Sequence, residues 1–103
     1  MTHVIDKAAL SHSGTTHRFE GYLYGGADVS SFLVDASHGG DPGLHTHPCE
    51  EVFVMQEGGL TFAVGETTIE ARSGQIVLVP AGVPHKYVNS GSGRAKHIDV
   101  HAS

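Results

Sequence analysis

The sequence predicts an all-β chain closed into a small barrel or jelly roll. Three observations carry that expectation. Fourteen glycines are spread along 103 residues, as a chain of many tight turns requires. Short apolar segments recur between turn residues at the spacing of a sandwich or barrel. No window of helical length shows a convincing 3.6-residue apolar period.

Residues 1–16 are mixed polar and small, ending in Ser11-His12-Ser13-Gly14. They read as an arm with room for one short strand, leaving 17–103 as a single β domain. Phe19 to Tyr24 reads as a strand closed by Gly25-Gly26, and Ser30 to Ala36 as the next. Gly39-Gly40-Asp41-Pro42-Gly43 is a turn cluster. Glu51 to Gln56 is long enough for a strand and short for a helix. Leu60–Val64 and Thr67–Ala71 flank Gly65-Glu66 in a hairpin pattern. Gln75 to Val79 contains the apolar run Ile76-Val77-Leu78-Val79, which predicts burial on both faces. Pro80-Ala81-Gly82-Val83-Pro84 forbids helix and limits ladder bonding. Lys86–Val88 and Lys96–His101 complete the set. Closing such hairpins into a barrel protects the sheet edges. No internal duplication is present, so one barrel is expected.

A chain of this length carries about one domain and one modest core. Apolar residues at 39% and charged residues at 17% set it apart from disordered compositions. A formal net charge of −5 argues against nucleic-acid and anionic-membrane partners, which select a basic footprint. One cysteine, Cys49, permits no intrachain disulfide and fits a reducing compartment. Met1 to Lys7 has no basic stretch leading into an apolar run, so no signal peptide is read. No stretch approaches a membrane span. A soluble cytoplasmic protein is the expectation.

The nine histidines invite a metal reading. In a strand, His45 and His47 project to one face, as two metal ligands must. Alone the pair is poor grounds, because roughly one such pair is expected by chance among nine histidines. The surroundings strengthen it. Glu51 follows after three residues, and imidazole plus one carboxylate suits a divalent metal. A third imidazole must come from another strand, and His85, just past the Pro80-Ala81-Gly82 turn, is the best candidate. Three neutral imidazoles and one carboxylate leave a divalent ion one net positive charge. If six-coordinate, it keeps one or two positions for water, a bidentate substrate or dioxygen.

At this point the sequence resembles a known family. Gly39, five residues, His45-Thr46-His47, three residues, Glu51, six residues and Gly58 reproduce the first cupin motif. Gly74, five residues, Pro80-Ala81-Gly82, two residues, His85, three residues and Asn89 reproduce the second. Fifteen residues separate them, as in a small single-domain cupin, and the two motifs span 39 to 89, about half the chain. The resemblance implies a double-stranded β-helix, a jelly-roll barrel of six to eight strands. It also implies a metal bound by His45, His47, Glu51 and His85, and a homodimer. It carries nothing for 1–38 or 90–103.

The other ionisable residues read differently. Spacing favours Glu51 over Glu50 as the carboxylate. Cys49 shares parity with the pair, but Pro48 bends the chain there, so a ligand role is not expected. Phe53, Met55 and Tyr87 share the parity of Glu51 or His85 and are expected to fill the interior. Asn89 reads as a turn residue. His97, Asp99 and His101 alternate with Ile98 and Val100, and that polar face is expected to meet solvent; the alternative is an inward face whose groups back the site or relay protons. His3, His12, His17 and His38 read as surface residues.

Two function classes follow, and a third is weaker. One is a metal-dependent small-molecule enzyme of dioxygenase, isomerase or cyclase type, in which the resemblance to cupin dioxygenases implies that Glu51 shifts between ligand and base. The second is a non-catalytic binding or sensing barrel, since fold does not fix function. The third is a barrel stapled by a purely structural metal. The residue types accept Fe, Mn, Zn, Ni, Co or Cu alike.

Overall fold

Apolar alternation in the sequence resolves, in a computed structural model that describes residues 4–37 and 43–102, into antiparallel strands. They are β1 (Ser11–Ser13), β2 (Thr16–Glu20), β3 (Val29–Ala36), β4 (Glu51–Glu57), β5 (Gly59–Val64), β6 (Thr67–Arg72), β7 (Ile76–Val79), β8 (His85–Val88) and β9 (Ala95–Ala102). One sheet has the order β1-β2-β3-β9-β4-β7 and the other β6-β5-β8. The pair makes the jelly-roll sandwich expected from the sequence. Among the described residues no helix is long and apolar enough to cross a membrane.

The core fills the space between the sheets. Phe53 and Met55 of β4, Leu60 and Phe62 of β5, Ala71 of β6, Val77 and Val79 of β7 and Ala95 of β9 form one buried cluster. Phe53 and Phe62 meet edge to face with ring centroids 4.9 Å apart. Each fully buried side chain of this size contributes on the order of 1.5–3 kcal/mol. Tyr87 is half-buried against the same cluster, so Phe53, Met55 and Tyr87 point inward as their parity requires.

Gly58 shows why a glycine closes β4. Its φ is +70°, and a Cβ there would lie 2.4 Å from the Arg94 carbonyl oxygen. Both the left-handed backbone and the close approach exclude a side chain.

Three expectations are corrected. The strand drawn over Phe19–Tyr24 ends at Glu20, and Gly21–Leu23 forms a 3-10 turn. Gly21 is buried where a Cβ would lie 2.2 Å from the Val29 carbonyl oxygen, so the chain turns there instead of extending. The Ile76–Val79 run is not covered on both faces: Ile76 is 67% and Leu78 56% exposed. β7 is a sheet edge, and only its Val77 and Val79 face the core. The third concerns β9. His97 and Asp99 are 1% and 4% exposed, so the polar face expected to meet solvent points inward. The reason is register: Asp99 stands opposite Phe53 and His97 opposite Met55 on β4, and both partners are core residues. Ile98 and Val100 therefore take the outer side, half-buried.

Candidate metal centre

The two histidine-bearing segments are joined by their backbones. His45 and His85 form an isolated antiparallel bridge. The His45 N–H donates to the His85 carbonyl at 3.0 Å, and the His85 N–H returns the bond at 2.9 Å. Residues directly opposite in such a pair present their side chains on one face, and the two rings lie 4.3 Å apart. The Gly82 N–H donates to the His47 carbonyl at 2.8 Å, so the Pro80-Ala81-Gly82 turn locks onto the first segment. Glu51 opens β4 and points inward from the neighbouring sheet position.

The result is a cluster in which one ligand atom from each of His45, His47, Glu51 and His85 lies within 4.8 Å of the others. His85 Nε2 is 3.0 Å from Glu51 Oε1, and His47 Nε2 is 3.4 Å from the same oxygen. Glu51 and His85 are buried, whereas His45 and His47 are half-buried, which gives the cluster a closed floor and an open side.

The far ring nitrogens fix the tautomers. His45 Nδ1–H donates to the Gly43 carbonyl at 2.8 Å, and His85 Nδ1–H to the Val83 carbonyl at 3.0 Å. A neutral imidazole so engaged turns a lone pair, not a proton, toward the cluster. In His85 that lone pair faces a carboxylate oxygen, and a cation between them satisfies both. Burial holds the His47 imidazole below its ordinary value of 6.5, reinforced by His45, His85 and His101 and opposed by Glu51. The unprotonated, metal-binding form is thereby favoured.

The remaining residues fall outside the cluster. Cys49 is half-buried and its thiol donates to the Ala102 carbonyl at 3.2 Å. Asn89 is buried as a turn lock: its Nδ2 donates to the Ala36 and Gly93 carbonyls, and its Oδ1 accepts from the Gly91 N–H. His101 stands opposite Glu51 and stacks on His47, centroids 5.8 Å apart and rings 10° from parallel. It backs His47 without joining the four. His12 is exposed and His17 half-buried; His3, His38 and Gly39 lie outside the described residues.

A cavity of about 340 Å³ adjoins the cluster, lined by Thr16, Phe32, Val34, His45, His47, Glu51, Phe53, Tyr87 and Asp99. Sequence reasoning did not assign Thr16, Phe32, Val34 or Asp99 to a site. Asp99 was visible as one member of an alternating polar strand. Its facing depends on β9 pairing with β4, which no local pattern encodes.

The chain matches the Cupin domain family over residues 32–101. It belongs to the cupin family. No curated protein matches it. Among solved structures, this cupin is similar to a Cupin 2 conserved barrel domain protein from Salinispora arenicola (18% identity, TM-score 0.77, covering 100% of this chain and 88% of that one). It is similar to BH2720 from Bacillus halodurans (25% identity, TM-score 0.68), covering 72% of this chain and 61% of that one. It is also similar to an oxalate decarboxylase of Bacillus subtilis with Mn(II) centres (17% identity, TM-score 0.77), covering 85% of this chain and 25% of that one. The cupin thus spans less than two thirds of BH2720 and a quarter of the decarboxylase. The His45, His47, Glu51 and His85 cluster is a potential metal site whose donor set fits a divalent ion.

Proposed function

We propose that this cupin holds a divalent transition metal through His45, His47, His85 and Glu51, and acts on a small molecule in the adjoining cavity as a metal-dependent dioxygenase, isomerase or cyclase. The observation that carries the reading is the set of orienting bonds behind the rings. His45 and His85 spend Nδ1–H on backbone carbonyls, which leaves their Nε2 atoms unprotonated for the cluster, and His85 Nε2 lies 3.0 Å from a Glu51 oxygen. A bound metal would supply Lewis acidity to an oxygen of the substrate.

The chain's own groups do the rest. Glu51 balances charge and, through the oxygen not engaged by the imidazoles, can accept a proton from a bound molecule. Phe32, Val34, Phe53 and Tyr87 give the cavity apolar walls that exclude water. The open cavity favours this reading over a purely structural metal, because structural sites are closed by their ligands. It does not separate an enzyme from a binding barrel. Metal analysis of untagged protein from its native host, then activity screening with that metal, tests both. Protein free of divalent metal, with His45→Ala changing nothing, overturns the metal reading. A metabolite bound tightly and never turned over favours the sensing barrel.

We extend the reading to a homodimer. Leu78, Val52 and Val100 form one row across β7, β4 and β9, and Ile76, Val54 and Ile98 a second. Both rows end at an edge strand that has no further strand partner among the described residues, which pairing with a second copy would cover in a self-complementary way.

A further inference from the structure

The cavity contains a carboxylate that the four-residue cluster does not use. Asp99 lines the cavity beside Phe53 and Tyr87, although the residue is 4% exposed. It reaches this place from β9, opposite Phe53 and diagonal to Glu51, which pairs with His101. Diagonal neighbours on one sheet face lie about 7–8 Å apart, a distance a small molecule spans.

Asp99 is held from behind. His97 Nδ1–H donates to Asp99 Oδ1 in a buried bond. The His97 ring is itself fixed, edge-on to Tyr87 with centroids 5.1 Å apart and tilted against Phe53 at 6.1 Å. His97 Nε2 is buried without a partner among the described residues. Such an arrangement is costly, and among the described residues the ring's one polar partner is Asp99. One oxygen of Asp99 is thus committed to the protein. The other is not engaged by His97, in a side chain that lines the cavity.

We infer that Asp99 is a specificity-determining residue, whose second carboxylate oxygen accepts a hydrogen bond from a hydroxyl or N–H group of the molecule in the cavity. His97 is its positioning residue. The inference rests on the metal-and-cavity reading above and narrows its substrate class. The ligand offers oxygen to the His45, His47, Glu51 and His85 end and an apolar or aromatic body to Phe32, Val34 and Phe53. It carries a hydrogen-bond donor toward Asp99. About 340 Å³ accommodates a ring together with its metal-binding head, since an apolar cavity of about 150 Å³ already holds benzene. Compact dianions are selected against, since their second carboxylate would meet Asp99 across apolar walls.

The test uses the full chain loaded with Co(II) and follows its visible spectrum. The probes are benzohydroxamate, whose hydroxamate is a metal-binding head, and its ring-hydroxylated and ring-methoxylated isomers. A hydrogen bond to a charged acceptor predicts that one hydroxy isomer binds at least about tenfold tighter than the parent and its methoxy counterpart. In Asp99→Asn, the His97 Nδ1–H still finds an oxygen, and an NH₂ donor replaces the acceptor at the cavity. The hydroxy preference, read as the ratio of hydroxy to parent affinity within each protein, then falls to about twofold or less. His97→Phe keeps the ring's packing, removes the clamp and lowers the same ratio, a readout that general loss of structure would not move selectively.

Parent binding with no hydroxy preference in the wild-type chain overturns the Asp99 inference and leaves the metal reading standing. So does a preference that survives in both variants. If Asp99→Asn does not fold, the wild-type ranking and His97→Phe carry the same decision. Failure of the parent probe to perturb the cobalt spectrum overturns the metal reading, and this inference with it.

Discussion

His45 and His85 exchange both of their backbone hydrogen bonds across an isolated bridge, although forty residues of chain separate them. The bridge puts two imidazoles on one face before any metal is considered, and each ring is then turned by a carbonyl two residues upstream. This is a preorganised arrangement, in which the rotamers of two candidate ligands are fixed by the fold.

His85→Ala therefore removes a candidate ligand without removing the bridge, because the bonds are made by backbone. We expect the variant to keep its far-ultraviolet circular dichroism and lose metal affinity by about a hundredfold or more, beyond the effect of changing a residue behind a ligand. Stoichiometry by atomic emission after dialysis checks it. Full metal retention with the fold intact would contradict the assignment.

A second expectation concerns pH. Burial lowers the His47 imidazole below 6.5. In the metal-free protein the unfolded chain then takes up a proton more readily than the folded one as pH falls through 6.5. Stability is full above that value and declines below it. Metal binding, which competes with protons for the same lone pairs, is level around neutrality and weakens only in the acid range. Metal titrations across this window decide it; a fall in affinity already above neutral pH counts against the shift.

Asp99 titrates in the opposite sense. Burial raises its carboxyl above 3.8, with Glu51 adding to the shift and the His97 hydrogen bond opposing it. Its contribution to stability is complete below 3.8 and is lost as pH rises through the folded value. Asp99→Asn should thus raise the melting temperature of the metal-free protein at neutral pH, by an amount that shrinks toward acid. A gain that grows on acidification would reverse the sign argued here.

Much of this was legible in the sequence, for identifiable reasons. Eight of the strands could be drawn from apolar segments between turn residues, the first of them placed too late in the chain, and the candidate ligands from the spacing of His45, His47, Glu51 and His85. What local pattern could not supply was facing. The alternation of His97, Ile98, Asp99 and Val100 fits either side of a sheet, and pairing with Phe53 and Met55 chose the inward one. The run Ile76-Val77-Leu78-Val79 is as apolar as a doubly buried strand. Its outer half is exposed because β7 ends the sheet, a property of topology alone.

That exposed half yields the last expectation. Leu78 and Ile76 extend two apolar rows over β4 and β9, and both stand more than half exposed at a strand edge. A second copy related by a twofold axis would bury the rows and pair the edge. We expect wild-type protein at micromolar concentration to sediment as a dimer. Ile76→Lys with Leu78→Lys should sediment as a monomer, since charges on an edge block pairing. Neither side chain faces the cavity, so the monomeric variant should keep its metal content and probe affinity. A wild-type protein that sediments only as a monomer would remove the dimer, and would leave the candidate metal site, built within one chain, untouched.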